Sequence, residues 1–355
     1  MGRRQGAVED MELSGFWRGR RVLLTGHTGF KGAWAACWLE RLGAEVTGLA
    51  LAPAGTPNLF ALMQAKMKIR SHIVDLRDEQ RVRETVAAAK PEIVLHMAAQ
   101  ALVSEGFRAP VATWASNVMG TVILLDALRG SAAKAVLVIT SDKVYADGVQ
   151  PYDEIAPLGG EDPYSASKAA TEIAVASWRH SFGKSAPPIA TARAGNVIGG
   201  GDWSRDRLVP DLVRAAAAQK PLELRRPDAT RPWQHVLDPL AGYLAFAEAL
   251  ATGKQVPEAL NFGPQDPPRT VRVLAERLLQ SFGRPVEWRH VPTAAIEERP
   301  TLALDASLAR KSLGWRPRLD IDRAIEWTAE WYQAQRGGAD AAHLTDAQIA
   351  RYEAL

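Results

Sequence analysis

The stretch that decides the fold is Arg21-Val-Leu-Leu-Thr-Gly-His-Thr-Gly-Phe-Lys-Gly32. Val22, Leu23 and Leu24 form a short apolar run of the kind expected for a strand buried on both faces. Glycines follow at 26, 29 and 32, and an Ala/Trp/Leu-rich helical pattern runs from Ala33 to Leu42. Strand, glycine turn and helix in that order supply the context that a glycine motif alone lacks. Backbone free of side chains can approach a pyrophosphate, whose charge sits against the aligned peptide dipoles at a helix N-terminus. Gly26, Thr28, Gly29, Phe30, Lys31 and Gly32 are therefore the expected phosphate cradle of a dinucleotide.

Outward from this turn the chain alternates strands and helices. Glu45 to Leu51 reads as a second strand that ends without Asp or Glu. An acid at that point would bind ribose hydroxyls and favour NAD over NADP, so NAD and NADP both stay open on this feature. Ile69 to Val74 is a third strand, closed by Asp75-Leu76 where an adenine edge is expected. A helical stretch from Glu79 to Ala89 leads to a fourth strand, Ile93 to His96, followed by Ala98-Ala99-Gln100. One long helix is expected over 110–128, then a fifth strand over Ala135 to Thr140. The pattern predicts the α/β class, a doubly wound parallel sheet covered on both faces. Gly29, Asp75, Ala98 and Ser141 then all fall at carboxyl ends of strands, where such sheets hold their ligands.

Composition narrows the remaining choices. The chain has 355 residues, is 47% hydrophobic and carries a formal net charge of only +3. Acids and bases are interspersed, with no Lys/Arg block of the kind that binds nucleic acid, while a slightly basic surface suits an anionic small substrate. The single cysteine, Cys37, cannot form an internal disulfide and fits a reducing cytoplasm. Its place beside Trp34 and Trp38 marks a buried structural thiol. Residues 1–16 read as a polar lead-in without a signal peptide, and no run is apolar enough to span a membrane. From residue 196 the character changes. Pro, Gly, Arg and Trp cluster over 199–203 and 225–233, which predicts a smaller lobe over the cofactor. The expected organisation is a dinucleotide-binding unit over 17–195 with part of 236–263, a substrate lobe from 196–235 and 264–335, and a C-terminal tail over 336–355.

Chemistry concentrates in Asp162-Pro-Tyr-Ser-Ala-Ser-Lys168. Asp162 is a plausible N-cap with proline in the first turn, and Tyr164 and Lys168 are four apart on one helix face. An ammonium beside a phenol favours the phenolate, as does the helix N-terminus, which would lower the tyrosine pKa. Such a tyrosine can take a hydroxyl proton while hydride leaves the same carbon.

Gly-x-x-Gly-x-x-Gly, Thr140-Ser141 and Tyr164-x-x-x-Lys168 together resemble the extended short-chain dehydrogenase/reductase superfamily. Within it, the segments 25–32, 117–121, 140–143, 158–168, 192–203 and 231–237 resemble the CDP-glucose 4,6-dehydratase group, over about Trp17 to Tyr332. The resemblance implies a Rossmann-like sheet, NAD as cofactor, and oxidation of a CDP-hexose at C4. Loss of water across C5 and C6 and return of the hydride to C6 then give a 4-keto-6-deoxy sugar. It implies that Tyr164 is the C4 base, Lys168 its tuning cation and ribose ligand, and Ser141 a donor to the C4 oxygen. Asp142 and Lys143 serve the elimination. Ala98, Ala99, Gln100, Asn117 and Thr140 join the cofactor residues, and Asn196, Arg207, Arg231 and His235 meet the nucleotide diphosphate. No metal is implied, and helices 110–128 and 164–181 would pair in a homodimer.

The chain departs from that group at three places. Ala101-Leu-Val-Ser-Glu-Gly-Phe107 replaces a run carrying an arginine, a serine and a tyrosine hydroxyl, with Glu105 as a possible substitute contact. The loop from Val144 to Glu154 is about two residues short and lacks an Asn-x-Glu-Trp run, and Glu297-Glu298-Arg299 replaces His-Glu-Ala. A site built for hydroxyls discriminates strongly when a partner is lost, so a nucleotide-sugar epimerase or dehydrogenase/reductase is the alternative enzyme. A catalytically idle NAD-binding module is the alternative outside catalysis.

Overall fold

The structure, a computed structural model, describes residues 15–283, 285, 287–292 and 299–355. Most of the polar lead-in (1–14), and Glu297 and Glu298 of the third departure, lie outside the described residues.

The opening stretch forms β1 (Arg21–Thr25) and then α1 (Phe30–Arg41). Six further strands join β1: β2 (Glu45–Ala50), β3 (Arg70–Ile73), β4 (Ile93–His96), β5 (Ala135–Ile139), β6 (Ile189–Ala194) and β7 (Ala259–Phe262). All pairs are parallel, in the order β7-β6-β5-β4-β1-β2-β3. The order reverses between β1 and β4, which opens a crevice at their carboxyl ends. Period-two alternation divides the strands between two cores. Val22, Leu24, Ile93, Leu95, Leu137 and Ile139 face one core with Ala33, Trp34 and Leu240. Leu23, Val94, Val136 and Val138 face the other with Val82, Leu124, Leu125 and Val175. Helices on both faces explain why these strands read as unbroken apolar runs. Strand β3, at the edge, is exposed and polar at Arg70, Ser71 and His72, as an unpaired edge requires.

The long helix expected over 110–128 is not uniform. Pro110–Trp114 and Gly120–Ala127 are α-helical, but Ala115–Met119 is a wider π turn. That turn carries Asn117, whose Oδ1 accepts from the Gln100 N–H at 2.8 Å and whose Nδ2 donates to Ser167 Oγ at 2.8 Å. Local helix propensity gives no sign of the turn; polar partners across the crevice define it.

Past β6 the chain adds small two-stranded ladders, pairing 197–198 with 234–235, 230–231 with 269–270, and 222–224 with 288–290. It returns to the main sheet through helix Leu237–Ala251 and β7. The segment read as a C-terminal tail carries a helix, Ala341–Glu353, docked on α1. Glu353 accepts from Trp38 Nε1 and Arg41 Nε, both at 2.8 Å, and Tyr352 packs edge-on against Trp38. Ala341, Ile349 and Tyr352, with the small Thr345 between them, form the buried face hidden among charges.

Candidate active site

A cleft of about 770 Å³ lies at the carboxyl ends of the strands, and residues of the glycine turn, β3 end, β4 end, β5 end and later loops line it. This volume suits a cofactor and a small ligand together. Gly26 has φ +79°, and a Cβ there would stand 2.7 Å from the Ala98 nitrogen. A Cβ on Gly32 would stand 2.0 Å from the Gly26 oxygen. The turn is thus packed to its backbone. Gly29 is the N-cap of α1, with no side-chain cap and no acid in the first turn, so that turn is left open to an anion. Thr25 Oγ1 accepts from the Met97 and Ala98 N–H groups, each at 3.1 Å, which ties β1 to β4 at the crevice. The cradle fits a dinucleotide. Gly32→Ala is expected to displace the turn and abolish cofactor retention, measured as NAD content of the purified protein.

Along the crevice, Thr28 Oγ1 donates to the Leu51 carbonyl at 2.9 Å, and Leu51 stands exposed in the cleft where an acid would contact ribose. Asp75 lines the cleft with Leu76, its carboxyl held below the usual carboxylate range by the bonded Arg77 guanidinium. Ala98, Ala99, Gln100 and Thr140 also line it, while Asn117 stands just behind, fixing Gln100.

Thr140 follows β5, and the next turn presents Ser141, Asp142 and Lys143 to the cleft. Helix α2 (Pro163–Phe182) starts as expected, with Asp162 Oδ1 capping the Tyr164 and Ser165 N–H groups at 2.9 and 3.0 Å. Tyr164 and Lys168 project from it beside that turn. Ser141 Oγ donates to Asp142 Oδ1 at 3.0 Å. Burial pushes the Tyr164 phenol up to about 12, with the neighbouring Ser141 hydroxyl and the Arg207 charge pulling the other way. Lys168 Nζ donates to the Ile139 carbonyl at 3.1 Å, and burial lowers the amine to about 8.

Asp142 is buried, and burial raises its carboxyl above the usual range despite nearby Lys143, Arg231 and Lys31. Its Oδ2 has no hydrogen-bond partner among the described residues. Gly195 makes room for that oxygen, since a Cβ there would lie 2.9 Å from it. A carboxyl that holds its proton to higher pH than usual, beside an open site, is suited to proton donation. Lys31, read only as part of the phosphate cradle, is a further ionisable group here. Burial, with Arg207 and Lys168, lowers it to about 7.

The substrate-side residues divide. Asn196, Arg207 and Arg231 line the cleft. Arg207 Nη1 donates to Asp202 Oδ2 at 3.1 Å, and Arg231 Nη1 to the Thr230 carbonyl at 2.8 Å. His235 does not join them. It is fully buried, its ring edge-on between Trp34 and Trp327, and desolvation lowers it to about 3. Pairing of Gln234 and His235 with 197–198 turns that side chain into the aromatic core. Trp203 likewise packs on Trp331 and Tyr332. Glu105 lines the cleft, but its carboxylate is engaged by Arg108, Nε at 2.7 Å. Arg225 lines the rim, and its Nη2 donates to the Asp206 carbonyl at 2.8 Å. Across the cleft, Ser104 Oγ donates to Asp206 Oδ2 at 2.7 Å, a link no local pattern announces.

The profile of the "NAD dependent epimerase/dehydratase family" matches residues 22–263. The CDP-glucose 4,6-dehydratase of Salmonella typhimurium strain LT2 is 41% identical over 348 residues, covering 95% of this chain and 97% of that protein. Among solved structures, an epimerase from Methanothermobacter thermautotrophicus superimposes with a TM-score of 0.81 at 21% identity, covering 92% of this chain and 96% of that one. A dTDP-glucose 4,6-dehydratase of Streptomyces venezuelae, solved with NAD bound, superimposes at 0.77 and 23% identity, covering 90% of this chain and 99% of that one. These two likenesses establish the fold, a parallel Rossmann-like sheet. With the family profile spanning the glycine turn through β7 and the first relative overlapping nearly end to end, the chain belongs to the NAD dependent epimerase/dehydratase family, within the extended short-chain dehydrogenases/reductases.

Proposed function

We propose that this enzyme is a lyase that dehydrates a CDP-hexose, converting CDP-glucose to CDP-4-keto-6-deoxyglucose with bound NAD. The observation that carries this reading is Asp142, a buried carboxyl raised out of its usual range, next to the Ser141–Tyr164 pair. Oxidation and return of hydride at one carbon need only Ser141 and Tyr164. A second acid at the same place serves the departure of a hydroxyl. NAD, when bound, would supply the hydride acceptor and donor.

The chain's own residues account for the protons. Ser141 orients the C4 oxygen, and Tyr164 takes the C4 hydroxyl proton as hydride leaves that carbon. The resulting ketone acidifies C5, whose proton passes to Lys143 acting as the free amine. Asp142 protonates the C6 hydroxyl, which departs as water and leaves a C5–C6 double bond. Hydride then returns to C6 and the Lys143 proton to C5, while the proton taken by Tyr164 restores Asp142 through solvent, so atoms and electrons balance with water as the only loss. Arg207 and Arg231, permanently charged, hold the diphosphate, with Asn196 beside them on the 196–235 and 264–335 lobe. The product class feeds deoxysugar formation of the O-antigen and lipopolysaccharide type. Incubation with CDP-glucose and measurement of the alkali-induced absorbance of a 4-keto-6-deoxy sugar tests the reading; turnover without loss of water overturns it. The altered 101–107 run favours the second reading, a nucleotide-sugar epimerase or reductase. There Glu105 is bound to Arg108 rather than free for a hexose, and that reading predicts a 4-epimer or net consumption of reduced cofactor.

Two further features extend the proposal. Val111, Trp114 and Met119 on the 110–127 helix and Ile173 on α2 are exposed by 81%, 40%, 53% and 59%. Such apolar groups on adjacent helices favour a second copy of this chain as the covering surface. Val111→Glu is expected to turn dimer into monomer, read by light scattering; a wild-type monomer overturns the dimer. No described helix is long and apolar enough to cross a membrane. Cys37 is partly buried with its thiol raised to about 12 by burial, an inert structural group, and a lone cysteine fits a reducing, cytoplasmic setting.

A further inference from the structure

Glu172 lies one turn beyond Lys168 on α2 and is 4% exposed. Its carboxylate accepts from Thr140 Oγ1 at 2.5 Å, Thr191 Oγ1 at 2.7 Å, and Arg193 Nε and Nη2 at 3.0 Å each. The remaining arginine nitrogen, Nη1, donates to Tyr145 Oη at 3.0 Å and to the Glu154 carbonyl at 3.1 Å. Tyr145 Oη donates onward to Asn261 Oδ1 on β7 at 2.6 Å, and its ring stacks on Tyr152. Glu172, Arg193 and Tyr145 do not line the cleft.

Thr140 and Tyr145 bracket the turn that presents Ser141, Asp142 and Lys143. The turn is held at its entrance by Thr140 on Glu172 and at its exit by Tyr145 on Arg193. Both holds converge on one ion pair, and its carboxylate belongs to the helix that carries Tyr164 and Lys168. Packing alone does not call for this arrangement, because well-packed apolar side chains replace buried ion pairs with little or no loss of stability. What the planar guanidinium fork supplies is direction.

We infer that Tyr145 is a positioning residue for the elimination step. Through Arg193 its hydroxyl aims Asp142 and Lys143, whereas Thr140 on Glu172 holds Ser141 against Tyr164 for the oxidation. The inference rests on the dehydratase reading. Tyr145→Phe removes one oxygen and keeps the ring stacked on Tyr152. In single-turnover reactions with CDP-glucose it is expected to reduce bound NAD at the wild-type rate. C5–hydrogen exchange with deuterated solvent and product formation then slow by about 10- to 100-fold, the effect of misplacing reacting groups by less than a bond length. Reduced cofactor accumulates. Arg193→Lys, which keeps the charge on Glu172 and loses the fork, is expected to show the same split and serves if Tyr145→Phe does not fold. Equal decline of both steps, or unchanged elimination, overturns the inference while leaving the dehydratase reading intact. A wild-type enzyme that makes no 4-keto-6-deoxy product overturns both.

Discussion

Tyr164→Phe is expected to lower turnover of CDP-glucose by about 10²- to 10⁴-fold, the usual worth of a positioned acid–base group, while NAD content stays at the wild-type level. The phenol oxygen is the only part removed. It faces the cleft beside Ser141 and contributes to no side of the phosphate cradle. The ring remains at the first turn of α2, so the Asp162 cap and the helix stand. Bound NAD should therefore no longer be reduced on mixing with substrate, which stopped-flow absorbance reads directly. Burial holds the phenol near 12 in the protein itself, and every group that lowers it raises the phenolate fraction available at neutral pH. The rate of the wild-type oxidation step should accordingly rise with pH until the phenolate dominates. Normal reduction of NAD in the variant removes Tyr164 from the chemistry.

Asp142→Asn separates the two halves of the reaction. The substitution keeps the size of the side chain and its place against Gly195, and deletes the exchangeable acid proton. Loss of water should slow by about 10²- to 10³-fold, with C4 oxidation slowed far less, so reduced cofactor accumulates on a 4-keto hexose. The pH dependence has a definite sign. Burial raises the Asp142 carboxyl, so its proton is present at low pH and is lost as pH rises through the raised value. Elimination by the wild-type enzyme should weaken on that alkaline side, and the variant should not share the decline. Folding carries the same linkage: the group is more easily protonated in the fold than in the unfolded chain, so ionising it as pH rises opposes folding. If both steps fall together in Asp142→Asn, the carboxyl is a structural group.

The dinucleotide site was legible because it is local. Gly29 and Gly32 stand against the Gly26 backbone within the same turn, Gly26 takes a positive φ as well as meeting the distant Ala98, and the strand and helix that flank them announce themselves by period. The Asp162 cap and the four-residue spacing of Tyr164 and Lys168 are legible for the same reason. His235 was misread because its neighbours Arg231 and Trp233 do reach the cleft. Only pairing with 197–198 and packing on Trp34 and Trp327, far along the chain, turn it away. The π turn at Asn117 and the helix at 341–353 share that origin in distant partners.

Electrostatics divides along the same line. Residue types and spacing dictate the class of fold, the glycine cradle, the tyrosine and the acid that follows the serine, since each depends on chain neighbours within one or two turns. Burial is a property of the whole molecule. It lowers the Lys168 amine to about 8 and pushes the Tyr164 phenol up to about 12. It also keeps the Asp142 carboxyl protonated above its ordinary range, because the desolvation of a charge is set by everything folded around it.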